Sequence, residues 1–242
     1  ISTCGAAKST YVATPPDRRG VSILQSGDAV VCEISFPPPL QFYGLTTAEG
    51  IPYWKIALLH SRDTLATTVL QTCVRYGNSA AKCQFCAIGE SLKAGRTIAK
   101  KTPGQLAEVA AAAQRMDGIA NVVMTTGTPP TDDRGAAVLT DCASAVKGAT
   151  ELPIQGQCEP PSDFGWFGRM RRAGIDSLGM HLEAWGENVR RQIMPGKAEV
   201  TRAFYLEAFS AAVEIFGRGQ VSTYLLAGLG DTVQSLHEAA RV

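Results

Sequence analysis

The chain reads as an α/β protein built on a parallel sheet, either a barrel or an open doubly wound sheet. Three observations carry that reading. From residue 69 onward, short apolar runs alternate with stretches of helical periodicity. The runs are near-continuous rather than alternating, as strands buried on both faces require. Each run ends in glycine or polar residues, and in both architectures ligands collect at the carboxyl ends of the strands.

Taken in order, residues 1–66 form an N-terminal lobe, β-rich or irregular. "PP" at 15–16 and "PPP" at 37–39 interrupt the β-prone runs "VSILQ" (21–25) and "AVVCEISF" (29–36), because proline cannot donate to a ladder. Cys4 and Cys32 read there as small hydrophobes rather than ligands. Residues 67–242 hold the repeated units, with strands expected at "VLQTCV" (69–74), "NVVMTTG" (121–127), "PIQGQCE" (153–159), "SLGMHLE" (177–183) and "VSTYLLAGLG" (221–230). The segment "TPGQLAEVAAAAQRMDG" punctuates its own helix. Thr102 is the N-cap, Pro103 opens the first turn, Gln105 completes a capping box and Gly118 stops it, with Leu106, Val109, Ala110 and Ala113 on one face. A second helix runs from Arg202, after Thr201, to Phe216 with Gly217 as stop; its expected buried stripe is Phe204, Tyr205, Ala208, Phe209 and Val213. Shorter helices fit 135–147, 163–173 and 232–241.

Composition narrows the function. A chain of 242 residues supports one sizeable core. Lys and Arg number 23 against 22 Asp and Glu, so no field gathers nucleic acid or an anionic membrane, and neither partner is expected. No window approaches the roughly 18–20 apolar residues of a membrane span, and "ISTCGAAKST" is unlike a signal peptide, so a cytoplasmic protein is expected. The first residue is Ile and the last is Val within a helical pattern, which suggests that both ends continue. Seven cysteines, an odd and clustered number in a chain too large to need stapling, point to a metal.

The cluster lies in "CVRYGNSAAKCQFCAIGES" (73–91), with nine residues between Cys73 and Cys83 and two between Cys83 and Cys86. Three thiolates serve zinc, an iron–sulfur cluster, or nothing. A closed zinc site needs a fourth ligand, and the histidines are His60, His181 and His237. A [4Fe–4S] cluster on three cysteines keeps one iron open to a small chelating molecule. Neither GxGxxG nor a Walker-type phosphate loop is present.

The loop, with Phe85 immediately before its last cysteine, and the strand-end motifs together resemble the radical S-adenosylmethionine (SAM) enzymes, in the branch near biotin and lipoyl synthases. The likeness runs over about 40–242 and is strongest to a subgroup often encoded beside nitrilases, marked by wording similar to "TTVLQTCVRY…KCQFCAIGESLKAG", "VVMTTGT", "QCEPP" and "MPGK…VSTYLLAGLGDT". It implies a partial (β/α) TIM-like barrel of the radical SAM type. It also implies a [4Fe–4S] cluster on Cys73, Cys83 and Cys86, with SAM chelating the open iron. One electron then cleaves a sulfur–carbon bond, and the 5′-deoxyadenosyl radical abstracts hydrogen from a small-molecule substrate. A reducing partner such as a flavodoxin or ferredoxin follows from that chemistry. The family spacing is three residues and then two, so six extra residues around Gly77 and Asn78 are expected to loop out.

The remaining roles also come from the resemblance. Phe85 belongs to the cofactor site, and Thr125, Thr126, Gly127 and Thr128 meet the SAM amino group. Glu183 accepts from the ribose, Ala227 and Gly228 leave room for adenine, and Lys197 or Arg191 pairs with the SAM carboxylate. Glu159 and His181 point to the same mouth, as candidates to touch substrate or move protons. Cys158 and Cys142 read as structural, Asp231 as a cap for the following helix, and "RMRR" (169–172) as a solvated face. The family barrel commonly has six strands and five are visible, so the last unit is expected beyond the residues given. Two rivals stay open: an iron–sulfur electron carrier without SAM, and a zinc-stabilised binding protein on a βα fold closed by His60.

Overall fold

The computed structural model describes residues 9–36 and 39–242; Cys4 and the first two residues of the "PPP" run lie outside them. Packing divides the chain into two compact units, Ile1–Gln41 and Phe42–Val242.

The first unit is a three-stranded antiparallel sheet of β1 (Tyr11–Ala13), β2 (Val21–Ser26) and β3 (Ala29–Ser35), in that order. The two expected runs are β2 and β3, joined across Gly27, whose φ of 59° suits the tight turn. The register slips between Leu24 and Gln25, a bulge that twists the ribbon. Cys32 is exposed on β3, so it is not the packed hydrophobe its sequence suggests.

The second unit is a six-stranded sheet in the order β4 (Leu58–His60), β5 (Thr64–Thr68), β6 (Asn121–Thr125), β7 (Ile154–Gln157), β8 (Ser177–Gly179) and β9 (Val221–Ser222). β4 runs antiparallel to β5, while β5 to β9 are all parallel. Among the described residues β4 and β9 remain edges, so the sheet is an open, partial barrel. The α/β fold with a parallel sheet is therefore as expected.

Its details differ in three ways. The first parallel strand is 64–68 rather than 69–74, and residues 42–66 fold with the second unit. "TLATT" escapes a search for apolar runs because three of its five residues are threonine, although β-branched threonine suits a strand. Residues 69–71 leave the sheet, bonding instead to Thr125, Ala99 and Lys101. The later strands are also shorter than their runs, so Cys158 and Glu159, "MHLE" and nearly all of "YLLAGLG" are loop rather than ladder.

Helices α1 (Ile88–Lys93), α2 (Pro103–Asp117), α3 (Ala136–Ala149), α4 (Gly165–Arg172), α5 (Glu187–Ile193), α6 (Pro195–Ala198), α7 (Arg202–Phe216) and α8 (Val233–Ala239) complete the unit. α2 packs on α3, α3 on α4 and β7, α4 on α7, and α7 on β8 and β9, so one helical layer follows the sheet. The capping box of α2 is present: Gln105 N donates to Thr102 Oγ1 at 3.2 Å and Thr102 N to Gln105 Oε1 at 3.0 Å. Its four expected face residues are all buried. On α7 the buried line is Tyr205, Ala208, Ala212 and Phe216, whereas Val213 is exposed. Val213 lies five positions beyond Ala208, about 140° round the helix, so the expected stripe drifts off the buried face.

Candidate active site

The cysteine loop is clamped between two strand-end segments. Val74 N donates to Thr128 O, and Gly127 N to Leu70 O, both at 2.8 Å, on the side of β6. On the other side Gln84 N donates to Ile193 O at 2.8 Å and Gly196 N to Ala81 O at 3.1 Å. Both glycines are there for close approach. A Cβ on Gly127 would lie 2.1 Å from Thr72 O, and one on Gly196 would lie 2.7 Å from Ala81 O. The extra residues 77–80 project to solvent, with Asn78 Oδ1 accepting from Ala80 N to close their turn.

The clamp sets the thiols into a cavity of ≈ 270 Å³ at the carboxyl ends of the strands. Cys73, Cys83, Phe85 and Cys86 line it from the loop; Thr125, Thr126, Gly127 and Thr128 from the end of β6; Glu159 from β7; and His181 and Glu183 from β8. Lys197, on α6, completes it. Twelve of the fifteen residues singled out from the sequence thus share one cavity. The exceptions are Arg191, which turns to solvent on α5 and meets Asn188 Oδ1, and Ala227 and Gly228, which are exposed well past the end of β9.

Two ion pairs neutralise the wall. Arg75 pairs with Glu159, their side chains 14% and 9% exposed, and Lys197 Nζ lies 3.1 Å from Glu183 Oε1, at 11% and 14%. Thr128 Oγ1 also donates to Glu159 Oε1 at 2.7 Å. Burial alone would pull Lys197 down, but Tyr205, Glu183 and Glu159 outweigh it and push its pKa up. Glu183 adopts a φ of 69°, a left-handed conformation rare for a side chain of its size, held by backbone bonds to Tyr224 and Leu226.

Three polar atoms of this wall have no partner: Glu159 Oε2 and both ring nitrogens of His181. Such atoms each cost about 1–3 kcal/mol unless something satisfies them. Burial, reinforced by Lys197, holds the His181 pKa down to about 4, so the ring is neutral at pH 7. The ring stacks on Tyr224 with centroids 4.1 Å apart. Burial pushes the Cys83 thiol up to about 11, with Lys197 pulling against it, and the Cys158 thiol up to about 12.

Among the described residues no three His, Cys, Asp or Glu side chains converge on a single metal ion. His60 is exposed and pairs with Thr64 at the amino end of β5, the opposite end from the cysteine loop, so it cannot close a zinc site there. The donor set fits a larger group instead. Three thiols offer soft ligands, and the unpartnered carboxylate and imidazole beside them await a polar ligand.

The sequence pattern of the Radical SAM superfamily matches residues 76–242. The chain belongs to the radical SAM superfamily. Members of the superfamily are enzymes that use a [4Fe–4S] cluster and SAM, and the cavity chemistry suits both. A radical SAM methyltransferase from Sphaerobacter thermophilus superposes with a TM-score of 0.55 at 16% identity, covering all of this chain and 67% of that one. Methylornithine synthase gives 0.55 at 16% identity, over 83% of this chain and 58% of its own. A bacteriochlorophyllide c C-7(1)-hydroxylase from Chlorobaculum limnaeum is 36% identical over 81 residues, which are 33% of this chain. The match spans only a fifth of that relative's length.

Several site residues escape the sequence reading. Arg75, two positions after Cys73, carries no sequence signal and is held in by Glu159. Lys101 is 1% exposed and donates to Thr68 O at 2.6 Å and Thr97 Oγ1 at 2.7 Å, tying the end of β5 to the segment before α2; burial lowers its pKa to about 8. Asp231 does not cap α8, whose N-cap is Thr232; it accepts from Trp185 N and Gly186 N, joining the tails of β8 and β9. Each reaches at least one partner 33 or more positions away, and no local signal marks such a contact.

Proposed function

We propose that this radical SAM enzyme cleaves SAM reductively at a [4Fe–4S] cluster ligated by Cys73, Cys83 and Cys86 and uses the resulting radical to take a hydrogen atom from a small-molecule substrate. When bound, the cluster supplies the electron that breaks the sulfur–carbon bond of SAM. The observation that carries the assignment is the cavity, which gathers the three thiols with the β6, β7 and β8 tails. Thr125, Thr126 and Thr128 offer hydroxyls and Gly127 close backbone approach on the side assigned to the SAM amino group. Glu183 serves the ribose. Lys197 serves the SAM carboxylate, and to do so it exchanges its bond to Glu183 for one to the ligand. Phe85, 38% exposed beside Cys86, shields the cluster from water. Arg191, Ala227 and Gly228 do not line this cavity.

The quoted motifs support the finer placement near biotin and lipoyl synthases, in the subgroup found beside nitrilases. The chemistry calls for an external one-electron reductant, such as a flavodoxin or ferredoxin. No helix among the described residues is long and apolar enough to cross a membrane. The test is anaerobic reconstitution with iron and sulfide, reduction by dithionite, and electron paramagnetic resonance with and without SAM. A [4Fe–4S] signal that changes on SAM addition and disappears in Cys83→Ala is expected; a cluster signal indifferent to SAM would favour the electron carrier.

A further inference from the structure

The two polar groups left unsatisfied in the cavity wall specify what would satisfy them. Glu159 is held by Arg75 and Thr128 through Oε1, and Oε2 has no donor. Paired with a guanidinium, the group is a carboxylate, so Oε2 only accepts. The imidazole of His181, when neutral, offers one N–H and one lone pair. Its orientation is fixed from two sides. Tyr224 stacks on it at 17° between planes, and a Cβ on Gly179 would come within 3.0 Å of Cε1. The stack fixes the plane of the ring, and with it the plane in which both nitrogens lie.

Charge narrows the choice. Arg75 is paired with Glu159, and Lys197 is committed to Glu183 or, as proposed above, to the SAM carboxylate, so a substrate anion finds no free counter-ion. A carboxylate would face Glu159 directly, and a ketone has no hydrogen to give Oε2. An ammonium would satisfy Oε2 but leave the imidazole N–H without an acceptor. A neutral group carrying both N–H and C=O satisfies Oε2 and the imidazole N–H together, two of the three unpaired atoms.

We infer, on the basis of the radical SAM reading above, that Glu159 and His181 form a recognition subsite for a carboxamide or urea group of the substrate. Its N–H donates to Glu159 Oε2, and its carbonyl accepts from the His181 ring. The pair thereby selects the substrate end that enters the cavity and orients it beside the thiols' loop, to which Arg75 ties Glu159.

The test uses reconstituted, SAM-loaded protein in anaerobic equilibrium dialysis against radiolabelled propionamide, propionate or 2-butanone, three probes of nearly equal size. Propionamide should be retained at least about tenfold better than either, as expected where buried polar groups reject an analogue that cannot pair with them. His181→Phe, which keeps the stack on Tyr224 and leaves Arg75 paired, should remove most of that preference while SAM retention stays unchanged. Glu159→Gln should do the same, and His181→Phe decides the matter if the loss of Arg75's partner unfolds that variant. Equal retention of the three probes, or an undiminished preference in His181→Phe, overturns the subsite. Weakened SAM retention in Glu159→Gln with intact propionamide binding overturns it too, by giving Oε2 to SAM. A wild-type resonance signal indifferent to SAM would defeat the functional reading itself, whereas a normal SAM response without propionamide binding defeats only the subsite.

Discussion

Along α2 and α3 the buried side chains are mostly alanine, leucine and valine, while the cavity wall buries two carboxylates, two cations, an imidazole and four thiols. These two helices have no charged side chain among their buried residues, and α2 is closed by its capping box. The cavity does the reverse. It desolvates charged groups whose mutual attraction roughly offsets the cost of burying them, and it leaves three polar atoms unpaired. The contrast teaches that the two regions answer to different demands: one lowers the energy of the folded chain, and the other keeps unsatisfied groups that only a ligand can repay.

The sharpest way to test that division is to damage the helical layer. Leu139 on α3 is fully buried, so Leu139→Ala should cost about 2–5 kcal/mol, from lost burial and the void left behind. Urea denaturation reads the loss as a lower midpoint at unchanged slope. At temperatures where the variant stays folded, its reconstituted cluster should respond to SAM as the wild type does. A cost below about 1 kcal/mol would mean the layer is not the tightly packed body described.

The cavity predicts a pH dependence instead. His181 is neutral in the folded chain down to about pH 4, whereas an unfolded histidine protonates near 6.5. Between those values the unfolded chain binds a proton that the folded chain refuses. Stability is therefore full above about pH 6.5 and falls as pH drops toward 4, by at most about 3 kcal/mol from this group. His181→Phe should flatten that window in denaturant titrations of the protein without cofactor. An unchanged slope between pH 6.5 and 4 would show that the imidazole is not held in a dry wall.

A third comparison lies within the cysteine loop and its clamp. Gly127→Ala drives a Cβ into the Thr72 carbonyl, a backbone atom that cannot swing away, and should cost about 1–3 kcal/mol as well as displacing Cys73. Gly77→Ala, with nothing within 4 Å, should change stability by less than about 1 kcal/mol, in either direction. Equal effects at the two positions would mean that the loop is not clamped.

The parts legible in the sequence were those written in local rules. The α2 capping box, the glycine stop at 118, the ends of α7 and the βα alternation each depend on residues a few positions apart. The cavity was legible for the same reason: in a parallel sheet every strand's carboxyl end reaches the same face, so motifs at the run ends share one mouth. What stayed hidden depends on distance. Arg75 meets Glu159 across 84 positions and Trp185 meets Asp231 across 46, and neither pairing leaves a trace in local pattern. The resemblance points to Arg191, whereas its neighbour Arg190 is the buried one, donating to Leu182 O and Val200 O; adjacent residues on a short helix differ by about 100°, and no long apolar face fixes the phase. The resemblance puts Ala227 and Gly228 on a fifth strand that passes the adenine, but β9 pairs through only two residues and both lie beyond it.

The smallest effect tests the most local rule. Thr102→Ala removes the hydroxyl that accepts from Gln105 N, and with it half of a reciprocal box, leaving an orphan donor at the start of α2. The expected cost is about 1 kcal/mol, read as a lower urea midpoint. The site should not notice: Thr102 lies outside the cavity lining, and Lys101 keeps its hold on Thr68 O through its own side chain. A change in the cluster's response to SAM in this variant would mean that the start of α2 is coupled to the cavity through Lys101. The separation between the stabilising layer and the ligand-facing wall would then fail where the two regions are joined by one residue.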